Sequence, residues 1–461
     1  MATYYIDPSA PTNGNGLSEA TPFNTWKTTL WTGHTAAVGN RYLQKRGTTW
    51  ALHGSDAQPD RSIAWSVSGD SANRVVLSYY GDSSLAMPKI IPGPGVTAGI
   101  VFSTNTHHVT IDGLEITGHA GKLIQNGGST NTNDISIIVQ NCYLHDNSGA
   151  FNGLDLRGQN CKVLNCIIDN IGSDGVWLDC NNAEVGYCTI SNPSVNDNNG
   201  DCLQFSGTSG NIYVHHNTLD HRNKDSKHCL IVSTMTAGYT GGVIEYNTCL
   251  AYVGATVNKP IFIGSKNLIV RSNIFKDGFN NTISGEGTDN SNGTKVYGNM
   301  FLNQVSYNLD CYGVTSALTG VKVYNNTFIR SLTTLSNIRN NYNSNEISFT
   351  NNILVGSNYG LEIRSLDTHS YNLFYNQTTY PIFNAQLGAQ VTVPGDSLNT
   401  NPLLDSGYYP TSTSPAIAAG TKYWSTGPRP SDLNGKPVPD YFIDIGAVQS
   451  TFNPIHPANI G

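Results

Sequence analysis

The sequence predicts an all-β solenoid: a single-stranded right-handed parallel β-helix of about 10–12 coils, with an N-terminal capping helix and an irregular C-terminal closing segment. Three observations carry this expectation. A four-residue signature, usually containing Asn and ending in Leu, Ile or Phe, recurs ten times between residues 141 and 374. The segments around it alternate apolar and polar residues with the period of a strand. Charge is scarce, at 12% of residues against roughly 25% in an average soluble domain. Uncharged polar residues and 47 glycines take its place, a composition suited to many tight turns.

In chain order the signature reads NCYL ending at Leu144, NCII at Ile168, YCTI at Ile190, HNTL at Leu219 and NTCL at Leu250. It continues as SNIF at Phe275, GNMF at Phe301, NNTF at Phe328, NNIL at Leu354 and YNLF at Phe374. Successive ends lie 24, 22, 29, 31, 25, 26, 27, 26 and 20 residues apart, and a weaker member, GLEI, ends at Ile116. These steps are too short for a helix-pair repeat. One coil per repeat fits them, stacked at the usual strand spacing of roughly 4.8 Å. The recurring Asn is expected to form a ladder at one turn, each side chain hydrogen-bonding its neighbour's backbone. Nine cysteines show no CxxC spacing, and Cys142, Cys166 and Cys188 fall at nearly the same place in successive repeats. They read as small apolar ladder residues, not as disulfide partners.

The ends of a solenoid must differ from its middle, because an open coil exposes its core and a bare strand edge. Near the start, Thr21-Pro22 reads as a helix opening, with Phe23, Trp26 and Leu30 on one face of an amphipathic cap. Strands are expected in RVVLSYYG from Arg74 and in PKIIPGPG from Pro88. The repeat fades after Phe374. The expected division is therefore an N-terminal cap and entry segment over residues 1–73, the β-helix over 74–385, and a closing segment over 386–461.

An active site on a solenoid needs side chains from adjacent coils to converge. Aligning the second strand of each repeat puts Leu154, Val176, Leu203, Leu230 and Ile261 in one inward row. Leu156, Leu178, Phe205, Val232 and Ile263 form the second. Two residues before the first row stand Asn152, Asp174, Asp201, His228 and Lys259. Ionisable groups on neighbouring coils lie about one strand spacing apart, close enough to split their pKa values as acid–base pairs require. Asp174, Asp201, His228 and Lys259 are the candidate catalytic residues. Asp155, Trp177 and Gln204 lie on the outward row beside them as candidate substrate contacts, Trp177 as a stacking surface. The loop from Asp220 to His228 adds Arg222, Lys224 and Lys227, cations able to neutralise a sugar acid. The plain structural alternative is that Asp-Gly is a common turn pair and that a charged loop is a solvated one.

At these residues the chain resembles the polygalacturonases and related β-helix glycosidases, which carry NTD-G, DD-C, G-H-G and R-I-K motifs on successive coils. The corresponding places here are Ser173-Asp174-Gly175, Gly200-Asp201-Cys202, Lys227-His228-Cys229 and Asn258-Lys259-Pro260. Gly200 replaces one aspartate of the family pattern, the glycines around the histidine are missing, and no R-I-K follows. The resemblance implies Asp174 and Asp201 as the carboxylates that protonate the leaving oxygen and activate water. It makes His228 their tuner and Lys259 a substrate contact. The opening TYYIDPSAP…GNGLSEATPFNTW and the ending SPAIAAG…DIGA resemble secreted and phage β-helix carbohydrate enzymes, including pectate lyase-like proteins and tailspike depolymerases.

The favoured function is thus a depolymerase hydrolysing a long, acidic, capsular or exopolysaccharide glycan through paired aspartates. The first alternative is a lyase acting by β-elimination on a uronate-containing glycan, with Lys259, His228 and Arg222 as base and cation. The second is a β-helix that binds glycan without cutting it. No cofactor is expected for hydrolysis. For a lyase, calcium is a candidate, with Asp174, Asp179 and Asp201 as oxygen ligands. The resemblance to tailspikes, often trimers, adds a homotrimer as a candidate assembly. A net charge of −7 with no block of Lys or Arg argues against nucleic acid, and no stretch is apolar enough to span a membrane. The start MATYYIDPSAP has neither a basic nor an apolar leader region, so no signal peptide is expected. An extracellular or virion location would then be reached after leader removal or through lysis.

Overall fold

The computed structural model describes residues 1–51, 62–93, 96–118, 120–126, 136–207, 209–232, 239–284, 291–312, 317–330, 335–391, 395–422, 431–439 and 443–449. The chain forms two compact units, residues 1–213 with 217–227, and residues 214–216 with 228–461.

In the first unit each coil contributes one strand to each of three parallel sheets. The first sheet orders Thr3–Ile6, Arg41–Lys45, Val75–Tyr80, Val109–Asp112, Ile137–Gln140, Lys162–Leu164 and Ala183–Gly186. The second orders Ile63–Trp65, Ala98–Phe102, Lys122–Asn126, Leu154–Gln159, Val176–Asn181 and Leu203–Phe205. The third runs from Thr49–Trp50 through Lys89–Ile90, Glu115–Thr117, Tyr143–His145, Ile167–Asp169 and Thr189–Ser191 to Thr218–Asp220. The second unit repeats the plan. Its second sheet starts at His228–Val232 and ends at Tyr380–Asn384, against which Ala389–Gln390 turns back antiparallel. Counted over both units, the three sheets hold 14, 14 and 13 strands among the described residues, more coils than the repeat count suggests. The strands expected after Arg74 and Pro88 form at Val75–Tyr80 and Lys89–Ile90, while Pro94 and Gly95 lie outside the described residues.

The inward rows pair as the alternation demands. Leu154 faces Val176 and then Leu203, and Leu156 faces Leu178 and then Phe205. In the second unit Leu230 faces Ile261 and Val232 faces Ile263. All ten side chains are buried.

The signature is a two-residue turn between the first and third sheets. Its first residue takes a left-handed backbone: Asn141, Asn165, Tyr187, Tyr246, Ser272, Gly298, Asn325, Asn351 and Tyr371 all have φ between 50° and 64°. In the repeat read as NTCL the turn starts one residue earlier, at Tyr246, because Cys249 and not Leu250 pairs with Phe275. A tyrosine there costs on the order of 1–2 kcal/mol, which the following residue offsets. In the second unit that residue is Asn247, Asn273, Asn299, Asn326, Asn352 and Asn372, each buried. The Oδ1 of Asn299 accepts the Asn273 amide at 3.0 Å, and its Nδ2 donates to the Val270 and Tyr297 carbonyls at 2.8 and 3.0 Å. The same pattern repeats down to Asn372, where Asp396 Oδ1 takes over as the last acceptor at 2.8 Å. In the first unit Cys142, Cys166 and Cys188 hold this position, and Cys188 donates its amide to Asn217 Oδ1 at 2.9 Å. Among the described residues all nine cysteines are buried and none forms a disulfide.

The N-terminal helix does not form. The described residues hold no α-helix, only a 3-10 turn at Thr28–Leu30. Phe23 is held in an extended backbone instead: its amide donates to Tyr5 O at 2.9 Å and its carbonyl accepts from Asp7 at 2.8 Å. These bonds claim the groups a helix would need. Capping falls to aromatic packing, with Phe23 stacked on Trp31 at 4.7 Å and Tyr42 against Trp65 at 4.6 Å. Trp26 and Trp31 are buried, but Leu30 is 51% exposed. At the other end the closing segment lies on the outer face of the third sheet of the second unit. Leu433, Ala447 and Val448 cover Met300 and Leu302, while Ala416 and Ile445 cover Ile353 and Leu373. Residues 392–394, 423–430, 440–442 and 450–461 of that segment lie outside the described residues. No helix among the described residues is long and apolar enough to cross a membrane.

Replacing Asn299 by Ala orphans one buried amide and two buried carbonyls, so Asn299→Ala is expected to destabilise the fold by about 2–4 kcal/mol in denaturant unfolding. A loss below the cost of one buried unpaired group would show that the ladder is dispensable.

Candidate functional site in the first unit

The column expected from sequence is present within each unit. Asp174 and Asp201 stand on adjacent coils of the first unit, and His228 pairs in register with Lys259 in the second. In the first unit the column is a backbone ladder. Asn152 Oδ1 accepts the Asp174 amide at 3.3 Å, and Asp174 Oδ1 accepts the Asp201 amide at 2.8 Å. Glycines let the turns approach this closely: a Cβ on Gly175 would lie 2.7 Å from the Cys202 carbonyl oxygen. Asp174 and Asp201 are only 7% and 3% exposed. Burial, and then the neighbouring Asp201 charge, push the Asp174 carboxyl well above the usual carboxylate range. A carboxylate that accepts a buried backbone amide is occupied as a turn ligand.

In the second unit the His228 ring lies 5.5 Å from that of Phe262, and Lys259 Nζ is 5.3 Å from the same ring. The charged loop is bound up in its own structure. Arg222 pairs with Asp220, its Nε 2.9 Å from Oδ1, and Lys224 Nζ donates to the Ser194 and Asp197 carbonyls. Lys227 is exposed.

The outward rows of the second sheet are richer in chemistry than the column. Asp155, Trp177 and Gln204 stand in one row, and Arg157 faces Asp179 two residues on. Asp155 points outward yet is only 2% exposed, because two cations cover it. Lys122 Nζ pairs with its Oδ2, and Arg157 Nε sits 3.5 Å from Oδ1. The Arg157 guanidinium then lies over Trp177, 4.6 Å from the ring centroid. Trp177 is itself tethered by Nε1 to Ser206 Oγ at 3.0 Å, to which Gln204 Nε2 also donates at 3.1 Å. Asp179 is partly buried. Burial raises its carboxyl above the ordinary range, Asp155 adds to the rise, and Arg157 opposes it. Lys122 and Arg157 escaped the sequence reading, which took Asp179 only as a candidate calcium ligand. The signal available was parity: Arg157 and Asp179 share the outward face with Asp155 and Trp177, whereas Lys122, two residues before the inward Ile124, stands in the register of the column and reaches Asp155 from there.

Calcium ligation by Asp174, Asp179 and Asp201 does not fit this geometry. Asp174 is spent on the Asp201 amide, Asp179 stands on the outer row, and no three His, Cys, Asp or Glu among the described residues are grouped to hold a metal ion.

Fold and outer face together define a right-handed parallel β-helix carrying an ion-paired, aromatic-backed polar row. The family described as right handed beta helix region matches residues 96–219. The chain is similar in fold to pectate lyase Pel9A, at 16% identity over 97% of this chain and 96% of that one, with a TM-score of 0.43. It is also similar to a mannuronic acid specific polysaccharide family 6 lyase from human gut microbiota, at 15% identity over 89% of each chain and a TM-score of 0.48. A third similar structure is the GH136 lacto-N-biosidase from Eubacterium ramulus, at 12% identity over 86% of this chain and 68% of that one, with a TM-score of 0.44. The likeness is one of fold, and the fold is carried by lyases and glycosidases alike. No curated protein matches the chain.

The ladder role of Asp174 has a measurable consequence. Its folded pKa is raised, so the folded state holds the proton more tightly than the unfolded chain, and stability falls as pH climbs from the unfolded value toward the folded one. Asp174→Asn keeps the acceptor oxygen and removes the buried charge. The variant should melt higher than the parent at neutral pH and match it at strongly acidic pH. Equal melting temperatures at neutral pH would contradict the buried-charge assignment.

Proposed function

We propose that the chain cleaves a uronate-containing polysaccharide by β-elimination on the outer face of the second sheet of the first unit. The observation that carries this reading is Arg157. Its Nε faces Asp155 and its Cζ lies over the Trp177 ring, and its two terminal nitrogens form a fork able to bind a carboxylate bidentately. Across the row stands Asp179, a half-buried carboxylate whose proton affinity is raised, as suits a general base. Asp155 and Lys122 act as positioning residues.

A uronate carboxylate docked on Arg157 loses its negative charge to the guanidinium, which makes the C5 proton more acidic. Asp179 takes that proton. The electron pair left on C5 forms the C4–C5 double bond as the bond from C4 to the glycosidic oxygen breaks. The departing oxygen takes the proton back from Asp179, which regenerates the carboxylate and closes the cycle. Hydrolysis by Asp174 and Asp201 has less support, since both are buried and Asp174 holds a backbone amide.

On a uronate glycan the products should absorb in the ultraviolet as unsaturated uronates, not merely gain reducing ends. Arg157→Ala should lower kcat/KM by about 100-fold or more, and Asp179→Asn should abolish turnover while substrate still binds. Asp179 must be ionised to act, so the rate should rise with pH through a value above the ordinary 3.8 of an aspartate. New reducing ends without ultraviolet absorbance, lost in Asp174→Asn and kept in Asp179→Asn, would replace this mechanism with hydrolysis.

A further inference from the structure

A cavity of about 500 Å³ opens beside the first coil of the first unit, lined among others by Pro8, Pro11, Asn24, Leu30, Thr49 and Trp50. None of its described lining residues is ionisable. The size lies within the roughly 300–1,000 Å³ of small-molecule sites. Its walls are pinned: Asn13 Nδ2 donates to Leu30 O at 2.8 Å while Asn13 Oδ1 accepts the Asn24 amide at 3.0 Å. Behind them Trp50 Nε1 donates to Thr25 Oγ1 at 3.3 Å. The capping role of the 21–31 segment is met by Phe23, Trp26 and Trp31, and leaves Leu30, 51% exposed on the cavity wall, without a structural purpose. Among the described residues, the side-chain amide of Asn24 and the hydroxyl of Thr49 have no hydrogen-bond partner, and both residues line the cavity.

We propose that this cavity binds a single neutral pyranose unit. A pyranose presents apolar C–H faces and a rim of hydroxyls. Pro8, Pro11 and Leu30 supply apolar surface for the first, and Asn24 and Thr49 supply both donors and acceptors for the second. A uronate fits poorly, because a carboxylate buried here would meet no cation among the described lining residues. The site uses none of the residues of the Arg157 row, so it recognises sugar whether or not that row cleaves it.

The test is calorimetric titration of the full chain with cellobiose, maltose and lactose, and with glucuronate as the acidic control. At least one neutral disaccharide should bind with unit stoichiometry, and glucuronate should not compete. Thr49→Val and Asn24→Ala should each weaken binding by about tenfold, one lost hydrogen bond's worth, at an unchanged melting temperature. Thr49→Val preserves shape and so keeps the test valid if Asn24→Ala loosens the wall. Arg157→Ala should leave binding intact while lowering kcat/KM for cleavage, which separates this site from the proposed elimination site. Absence of binding by all three disaccharides, or binding undiminished in the double variant, overturns the proposal, as does binding lost in Arg157→Ala.

Discussion

Everything in this fold depends on each coil returning the backbone to register with the coil before it. Parallel strands cannot be closed by hairpins, so the return is made at the turns. The sharpest is the two-residue turn built on a left-handed residue and a buried ladder residue. In the second unit the ladder is a run of Asn amides, each bonding three backbone groups that burial would otherwise leave unpaired. A single unsatisfied group there costs about 1–3 kcal/mol, and a slip of one residue would turn every inward side chain to solvent. The ladder therefore sets the register on which both inward rows rely.

That register partitions the side chains by parity. Inward positions are consumed by Leu, Val, Ile and Phe. Turn positions are consumed by backbone satisfaction, the role Asp174 plays for the Asp201 amide. Only the outward strand positions remain for chemistry. On the second sheet of the first unit they carry Asp155, Arg157, Trp177, Asp179 and Gln204. The two cations over Asp155, Lys122 and Arg157, tie this row together: the carboxylate that Lys122 also holds anchors the Arg157 guanidinium, whose Cζ lies over the Trp177 ring.

The inward rows were legible because their signal is redundant. Period-two alternation, repeat spacing and apolar identity all give the same pairing for Leu154, Val176 and Leu203. The ladder was legible because Asn recurs at one place for a reason chemistry supplies. The column at Asp174 was legible as a column but not as a ladder, since spacing alone does not tell an outward carboxylate from one folded over a turn. The cap was misread for a related reason. Phe23, Trp26 and Leu30 have helical spacing, yet the Tyr5 and Asp7 backbone claims Phe23 for pairing, a contact made by residues 16 or more positions earlier that no local pattern records.

The same parity argument bears on why burial raises two aspartates for different ends. Asp174 and Asp179 lie five residues apart on one coil, and burial is the first cause of both raised proton affinities. Asp174 sits almost wholly inside a turn, with another carboxylate as its nearest charge and a backbone amide as its bond. Its high affinity is the cost of closing that turn. Asp179 keeps solvent contact and has a guanidinium opposing the shift. In the proposed elimination it would exchange a proton with the bound uronate and return to its ionised form, which a residue sealed into the turn would not. Access, not the size of the shift, separates a group that reports strain in the fold from one able to carry a reaction.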